Sequence, residues 1–293
     1  ITARECEELL DKPVDVVLPN GFDDSFVPGE SEFEGKRKAA RLKMISVANA
    51  LLGTTLGDDV MIVSTSGRYE FRNKGQDMYI EAMNRLLHDD RLKKTVLAFI
   101  EVPGWVSAPR QDLKERLEKG RNGGSPLETP LLTHWLHNMG EDNVLDMARY
   151  LGMRNLDSDR VKLIFVPCYL NGNDGIFNKS YYDLILGNDL CIYPSYYEPW
   201  GYTPLEAIAF SVPCITTDLA GFGIWADGEY GGHCHIADGV EVIHRTDNNY
   251  SDVADAIKET VIAYSNFTRQ QVEAARANAH SLSGKALWDK FIK

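Results

Sequence analysis

The sequence predicts an α/β fold built on a doubly wound parallel sheet, and three observations carry that expectation. Short apolar runs alternate with longer helical patterns along most of the chain. The runs are rich in Val, Ile and Leu and do not alternate cleanly with polar residues, as strands covered on both faces require. Two loops dense in polar residues each follow such a run and precede a helix, which is where open parallel sheets bind ligands.

Taken in order, the expected strands are residues 14–18, 60–65, 95–102, 161–167, 190–193, 213–217 and 240–244. Helical patterns fall at residues 36–52, 75–87, 181–186, 203–210, 252–265 and 268–291. In the second of these, Tyr79, Ile80, Met83, Leu86 and Leu87 recur at three- and four-residue spacing and so share one face. Residues 105–155 break the rhythm: they are polar, contain Gly120, Gly123 and Gly124, and carry helical patterns around 111–118 and 144–151. They read as an insertion within one domain spanning residues 1–293, and as a candidate contact surface for another domain or a second copy of the chain. No repeat or low-complexity segment interrupts the pattern.

Composition narrows the function. With 44% hydrophobic residues and 25% charged residues, the 293-residue chain has material for a buried core. No run of about 18 apolar residues exists, so no membrane span is expected. The formal net charge of −12 argues against a nucleic-acid surface, which needs cations to displace phosphate counterions. It leaves room for a nucleotide, because a few local cations serve one diphosphate. Cys6, Cys168, Cys191, Cys214 and Cys234 are odd in number and show no paired spacing, as reduced thiols of a cytoplasmic protein would. The start at Ile1-Thr2-Ala3-Arg4 is neither a signal peptide nor a Met, which is expected of a part of a longer protein.

The densest chemistry lies at Tyr196-Tyr197-Glu198-Pro199-Trp200-Gly201-Tyr202-Thr203-Pro204-Leu205-Glu206, between the strand at 190–193 and the helix at 203–210. Thr203, Pro204 and Glu206 match a capping box, in which Glu206 only ties back to the backbone of Thr203. The same helix end also suits a phosphate: its free N–H groups and dipole favour an anion, and Gly201 lets the backbone approach it. Glu198 and Glu206 would repel that phosphate unless they met sugar and ribose hydroxyls. Trp200 reads as a packing plug, and Thr216-Thr217-Asp218 as a cap on the following turn.

A second cluster, Ser64-Thr65-Ser66-Gly67-Arg68-Tyr69-Glu70-Phe71-Arg72-Asn73-Lys74-Gly75, also links a strand to a helix. Arg68 and Lys74 are met either as solvated surface charges or as diphosphate ligands, Arg as a planar fork and Lys as a point charge. His233-Cys234-His235, read as a strand, would bring two imidazoles together without the further ligands a metal needs, so no metal is expected.

These two clusters, followed by Gly221-Phe222-Gly223 and preceded by Pro19-Asn20-Gly21-Phe22, resemble the glycogen synthase family, and its animal and fungal branch more than the ADP-glucose branch. The resemblance implies two Rossmann-like halves facing across a cleft (the GT-B architecture), with this chain as the C-terminal, donor-binding half. Arg68 and Lys74 would bind the donor phosphates and stabilise the leaving diphosphate. Glu198 would lie at the hydroxyls of the transferred glucose and Glu206 at the ribose, with Tyr202 and Thr203 on the distal phosphate. Tyr181 would stack on the base, with Tyr169 on its other flank.

The implied reaction moves glucose from UDP-glucose, rather than ADP-glucose, to an α-1,4-glucan with retention of configuration and without a cofactor. The acceptor would be held by the N-terminal half, whose glycine-rich loop is not represented by Gly123-Gly124. The family's arginine-rich helix that binds glucose-6-phosphate corresponds to 268–291, which holds only Arg269 and Arg276, so activation by that ligand is not expected. Two further readings stand beside this one: a retaining transferase of the same architecture for another sugar or acceptor, and a nucleotide-sugar-binding module without activity. The resemblance leaves room for a homo-oligomer.

Overall fold

Alternation within each strand decides which layer a side chain joins. The computed structural model describes residues 1–120 and 123–291. The elements are, in chain order, α1 (Thr2–Leu10), α2 (Glu30–Leu52), β1 (Met61–Ser66), α3 (Gln76–Leu87), β2 (Val96–Glu101), β3 (Val106–Pro109), α4 (Gln111–Glu118), β4 (His134–Leu136), α5 (Asn143–Tyr150), β5 (Val161–Val166), α6 (Tyr181–Ile185), β6 (Leu190–Ile192), α7 (Tyr202–Ala209), β7 (Cys214–Thr217), α8 (Gly221–Glu229), β8 (Val240–Ile243), α9 (Tyr250–Ser265), α10 (Arg269–Ser283) and α11 (Trp288–Phe291). Six strands form one parallel sheet in the order β5-β2-β1-β6-β7-β8, and β3 pairs antiparallel with β4.

Met61 and Val63 of β1 and Leu190 and Ile192 of β6 face a core shared with α3, α5 and α9. Ile62 and Cys191, one residue out of phase, face the opposite layers of α2, α6, α7 and α10. Both faces are therefore dry, which explains why the strands read as unbroken apolar runs. Each fully buried aliphatic side chain contributes about 1.5–3 kcal/mol.

The insertion between β2 and β5 is anchored by a charge. Arg110 is wholly buried, pairs with Asp112 at 2.7 Å, donates to the carbonyls of Thr129 and Leu132, and lies 4.4 Å over the Trp135 ring.

Several expectations need correction. Residues 14–18 are not a strand: Val16, Val17 and Leu18 are 63–72% exposed, because no strand edge is offered to them. The single helix expected at 268–291 ends at Ser283. Beyond it the backbone turns to pair with the chain's beginning, Phe22 N–H donating to the Ala286 carbonyl at 2.9 Å. Two helices went unforeseen. One is α1, which buries no residue. The other, α8, is glycine-rich because Gly221 and Gly223 press against backbone: a Cβ there would sit 2.2 Å from the Pro199 carbonyl and 2.1 Å from that of Thr217. His233-Cys234-His235 is not a strand either; it precedes a 3₁₀ turn at Ile236–Asp238, with the Cys234 thiol donating to the Val240 carbonyl. No described helix is long and apolar enough to cross a membrane.

Candidate functional site

The order in which the chain lays down its parallel strands reverses between β1 and β6. From β1 the chain steps outward through β2 to β5, then returns to β6 and proceeds through β7 to β8. Loops leaving two neighbouring strands at such a reversal diverge, and a crevice opens at their carboxyl ends. Both polar clusters of the sequence emerge at this point, residues 66–75 after β1 and 193–201 after β6.

Backbone contacts hold the two loops together. Tyr196 N–H donates to the Asn73 carbonyl at 2.8 Å. Gly75, at φ 71°, lies so close to Pro194 that a Cβ would fall 2.0 Å from its carbonyl oxygen. Gln76 ties back to the Arg68 carbonyl at 2.9 Å, and the Thr217 hydroxyl donates to the Ser195 carbonyl at 2.7 Å. The turn Gly221-Phe222-Gly223 braces the acidic loop, Gly221 N–H donating to the Glu198 carbonyl at 3.0 Å.

This framework makes two joined cavities. One, of about 210 Å³, is lined by Arg68, Lys74, Glu198, Tyr202 and Thr203. The other, of about 420 Å³, is lined by Tyr169, Tyr181, Glu101 and Glu206. Ser66, Gly67, Arg68 and Thr203 border both, so the two form one continuous trough. The sequence-predicted residues therefore converge. Gly201 alone lines neither cavity; at φ 109° it shapes the turn into α7 from behind.

The electrostatics divide along the trough. Lys74 forms an ion pair with Glu198, both side chains mostly shielded from water. Arg68 is three-quarters exposed and, among the described residues, pairs with neighbouring Glu70 at 2.9 Å. The start of α7 has no side-chain cap, which leaves its first N–H groups open to an anion. The capping-box reading fails here, because the cap residue is Gly201 and the helix begins at Tyr202. Glu206 instead accepts from the Tyr182 hydroxyl at 2.8 Å, and burial holds its carboxyl above the usual range against that bond. At the far end, the Tyr181 hydroxyl meets Ser66 Oγ at 2.9 Å, while Tyr169 is 76% exposed.

Trp200 is the packing plug expected, 8% exposed among Phe222, Trp225 and Phe291. Among the described residues, one trio of metal-type ligands clusters: His134, Cys168 and Asp174. Both His134 ring nitrogens there are engaged, by Thr133 Oγ1 and the Asp174 carbonyl, each at 2.9 Å. Sequence reasoning passed over Glu101, the last residue of β2, which borders the larger cavity. Its signal was present: a single acid inside an apolar strand.

Comparison with known proteins bears on the family and the fold. A family model described as glycogen synthase matches residues 1–117 and 111–292. The chain is 28% identical to a glycogen [starch] synthase of Neurospora crassa over 99% of its own length and 49% of that protein's. It is 27% identical to the liver glycogen [starch] synthase of Mus musculus, over 98% of the chain and 48% of that protein. The chain thus spans about half the length of these relatives. Among solved structures, the fold matches WaaG, a glycosyltransferase of lipopolysaccharide biosynthesis (TM-score 0.54, 18% identity, 94% of this chain and 53% of that one). It also matches a sucrose-phosphate synthase from Thermosynechococcus elongatus (TM-score 0.52, 16% identity, 99% and 54%). The trough at the reversal of strand order, the two loops that build it and the match along nearly the whole chain lead to one conclusion: this chain belongs to the glycogen synthase family.

Proposed function

We propose that this chain is the donor-binding half of a cytoplasmic, retaining glucosyltransferase that passes glucose from UDP-glucose to an α-1,4-glucan. The observation that carries the reading is the convergence of Arg68, Lys74, Glu198, Glu206 and the open end of α7 on one trough. A nucleoside diphosphate sugar laid along it puts ribose hydroxyls at Glu206, phosphates at Arg68 and the α7 N–H groups, and hexose hydroxyls at Glu198.

In the reaction the bond from sugar C1 to the diphosphate oxygen breaks while an acceptor hydroxyl oxygen bonds C1 on the same face. The departing phosphate takes the hydroxyl proton. Negative charge grows on the diphosphate, and Arg68 and Lys74 are the cations of the trough that would stabilise it, in the role a metal ion plays in many phosphate sites. The acceptor is held by a second half of the complete protein, beyond this chain.

Calorimetry with UDP and ADP tests the reading. UDP is expected to bind, ADP more weakly, and Arg68→Ala to weaken both. Equal affinities would remove the basis for choosing UDP, and undiminished binding by Arg68→Ala would overturn the site.

A further inference from the structure

We infer that Glu101 is a base-reading residue, whose carboxyl hydrogen-bonds the N3–H and adjoining carbonyl of a uracil lodged beside Tyr169 and Tyr181. This rests on the donor-binding reading above and adds a specificity element to it.

Glu101 ends β2 beside Ser66 of β1 and Val166 of β5, on the sheet face covered by α6. It is 5% exposed and lies in the wall of the larger cavity, yet neither carboxylate oxygen has a hydrogen-bond partner among the described residues. A buried polar group left unpaired is strongly unfavourable, so such groups normally find partners. Ser66 beside it is engaged with the Tyr181 hydroxyl at 2.9 Å. The remaining partner is whatever fills the trough.

Position within the trough selects the ligand group. Lys74, Glu198 and Tyr202 line only the smaller cavity, whereas Glu101, Glu206, Tyr169 and Tyr181 line only the larger, so Glu101 lies at the nucleoside end of the proposed site. The titratable and charged groups around it are Arg68, Tyr69, Cys168, Tyr169, Tyr181 and Glu206 on the cavity, with Tyr79 and Cys191 behind. Burial pushes the Glu101 carboxyl up to about 8, so it is protonated at neutral pH. A neutral carboxyl presents an O–H beside a C=O, and the imide edge of uracil presents a C=O beside an N–H. The two match as a cyclic pair.

Calorimetry with UDP, N3-methyl-UDP and ADP on the wild-type protein, Glu101→Gln and Glu101→Leu tests this. The wild type is expected to bind N3-methyl-UDP about tenfold or more weakly than UDP, a comparison that requires no variant to fold. Glu101→Gln offers an N–H beside a C=O and keeps UDP affinity within about threefold, whereas Glu101→Leu loses about tenfold and no longer distinguishes the methylated ligand. Wild-type indifference to the methyl group, full UDP affinity in Glu101→Leu, or an equal dependence of ADP binding on Glu101 would each overturn the assignment. Weakened UDP binding in Arg68→Ala beside unchanged binding in Glu101→Leu would sink the base-reading role alone; absence of UDP binding by the wild type would sink the donor site itself.

Discussion

The two ends of the parallel sheet both carry buried charge, and they treat it in opposite ways. At the amino-terminal edge, Arg41 donates to Asp58 and Asp189 at 2.8 Å each and to the carbonyls of Gly187 and Val60. Asp189 also accepts from the Ile62 N–H at 2.8 Å and pairs with Arg37 at 3.1 Å. Arg41 and Asp189 are thus answered from within, although Arg276 Nη2 and Asn188 Oδ1 beside them are buried without a partner among the described residues. At the carboxyl-terminal edge, Arg68 projects into water, the helix end is uncapped, and Glu101 has no partner among the described residues. The contrast sets an ion pair that ties elements of the fold together, Arg41 with Asp58 and Asp189, against a buried carboxyl, Glu101, that faces a cavity with neither oxygen partnered among the described residues.

The largest effect that could break this contrast is on stability. Asp189→Ala strands two arginines beneath the sheet and is expected to cost about 3–5 kcal/mol, read as a fall in the denaturation midpoint. UDP affinity of the protein that remains folded should not change. If stability held, the amino-terminal cluster would be ornament and the comparison would collapse.

Arg68→Ala should do the reverse. Its denaturation midpoint is expected to match the wild type, while glucosyl transfer by the complete protein drops about a hundredfold or more, roughly 3 kcal/mol of transition-state stabilisation. Wild-type turnover would reassign Arg68 to ordinary surface charge.

Glu101→Gln sharpens the comparison through pH. The folded carboxyl titrates at about 8, above its ordinary 4.5. Between those values the folded protein keeps a proton that the unfolded chain has released. Stability contributed by that proton is full below pH 4.5 and is lost as pH rises through 8. Glu101→Gln removes this slope, so ligand-free protein should gain stability over wild type progressively as pH rises from 5 to 9. Parallel pH profiles of the two midpoints would contradict the orphaned carboxyl.

The smallest effect belongs to Tyr182→Phe. It deletes one hydrogen bond to Glu206 and is expected to weaken UDP binding by about 1 kcal/mol in calorimetry. An improved affinity would mean that Tyr182 competes for Glu206 rather than orienting it.

The sheet was legible because burial on both faces writes itself as apolar runs, and six of the seven expected strands lie where those runs are. Residues 14–18 show the limit of that signal: an apolar run without a neighbouring edge has the composition of a strand and none of its ladder. α8 shows the converse. Its glycines speak against a helix locally but are demanded by contacts with Pro199 and Thr217, which composition does not reveal. In the site, the loop residues were readable from their place between strand and helix. The pairing of Lys74 with Glu198 was not, since those residues meet only once β1 and β6 lie side by side. Glu206 was assigned a capping box by spacing, and the backbone turn at Gly201 moved the cap two residues back from Thr203 and released it.

The Lys74–Glu198 pair has a consequence for turnover. A phosphate arriving at Lys74 does not meet a vacant cation; it must evict a carboxylate, so its affinity is the difference between two anions rather than the full attraction of one. In the proposed reaction the departing diphosphate would face the same exchange in reverse, with Glu198 able to reclaim the Lys74 ammonium.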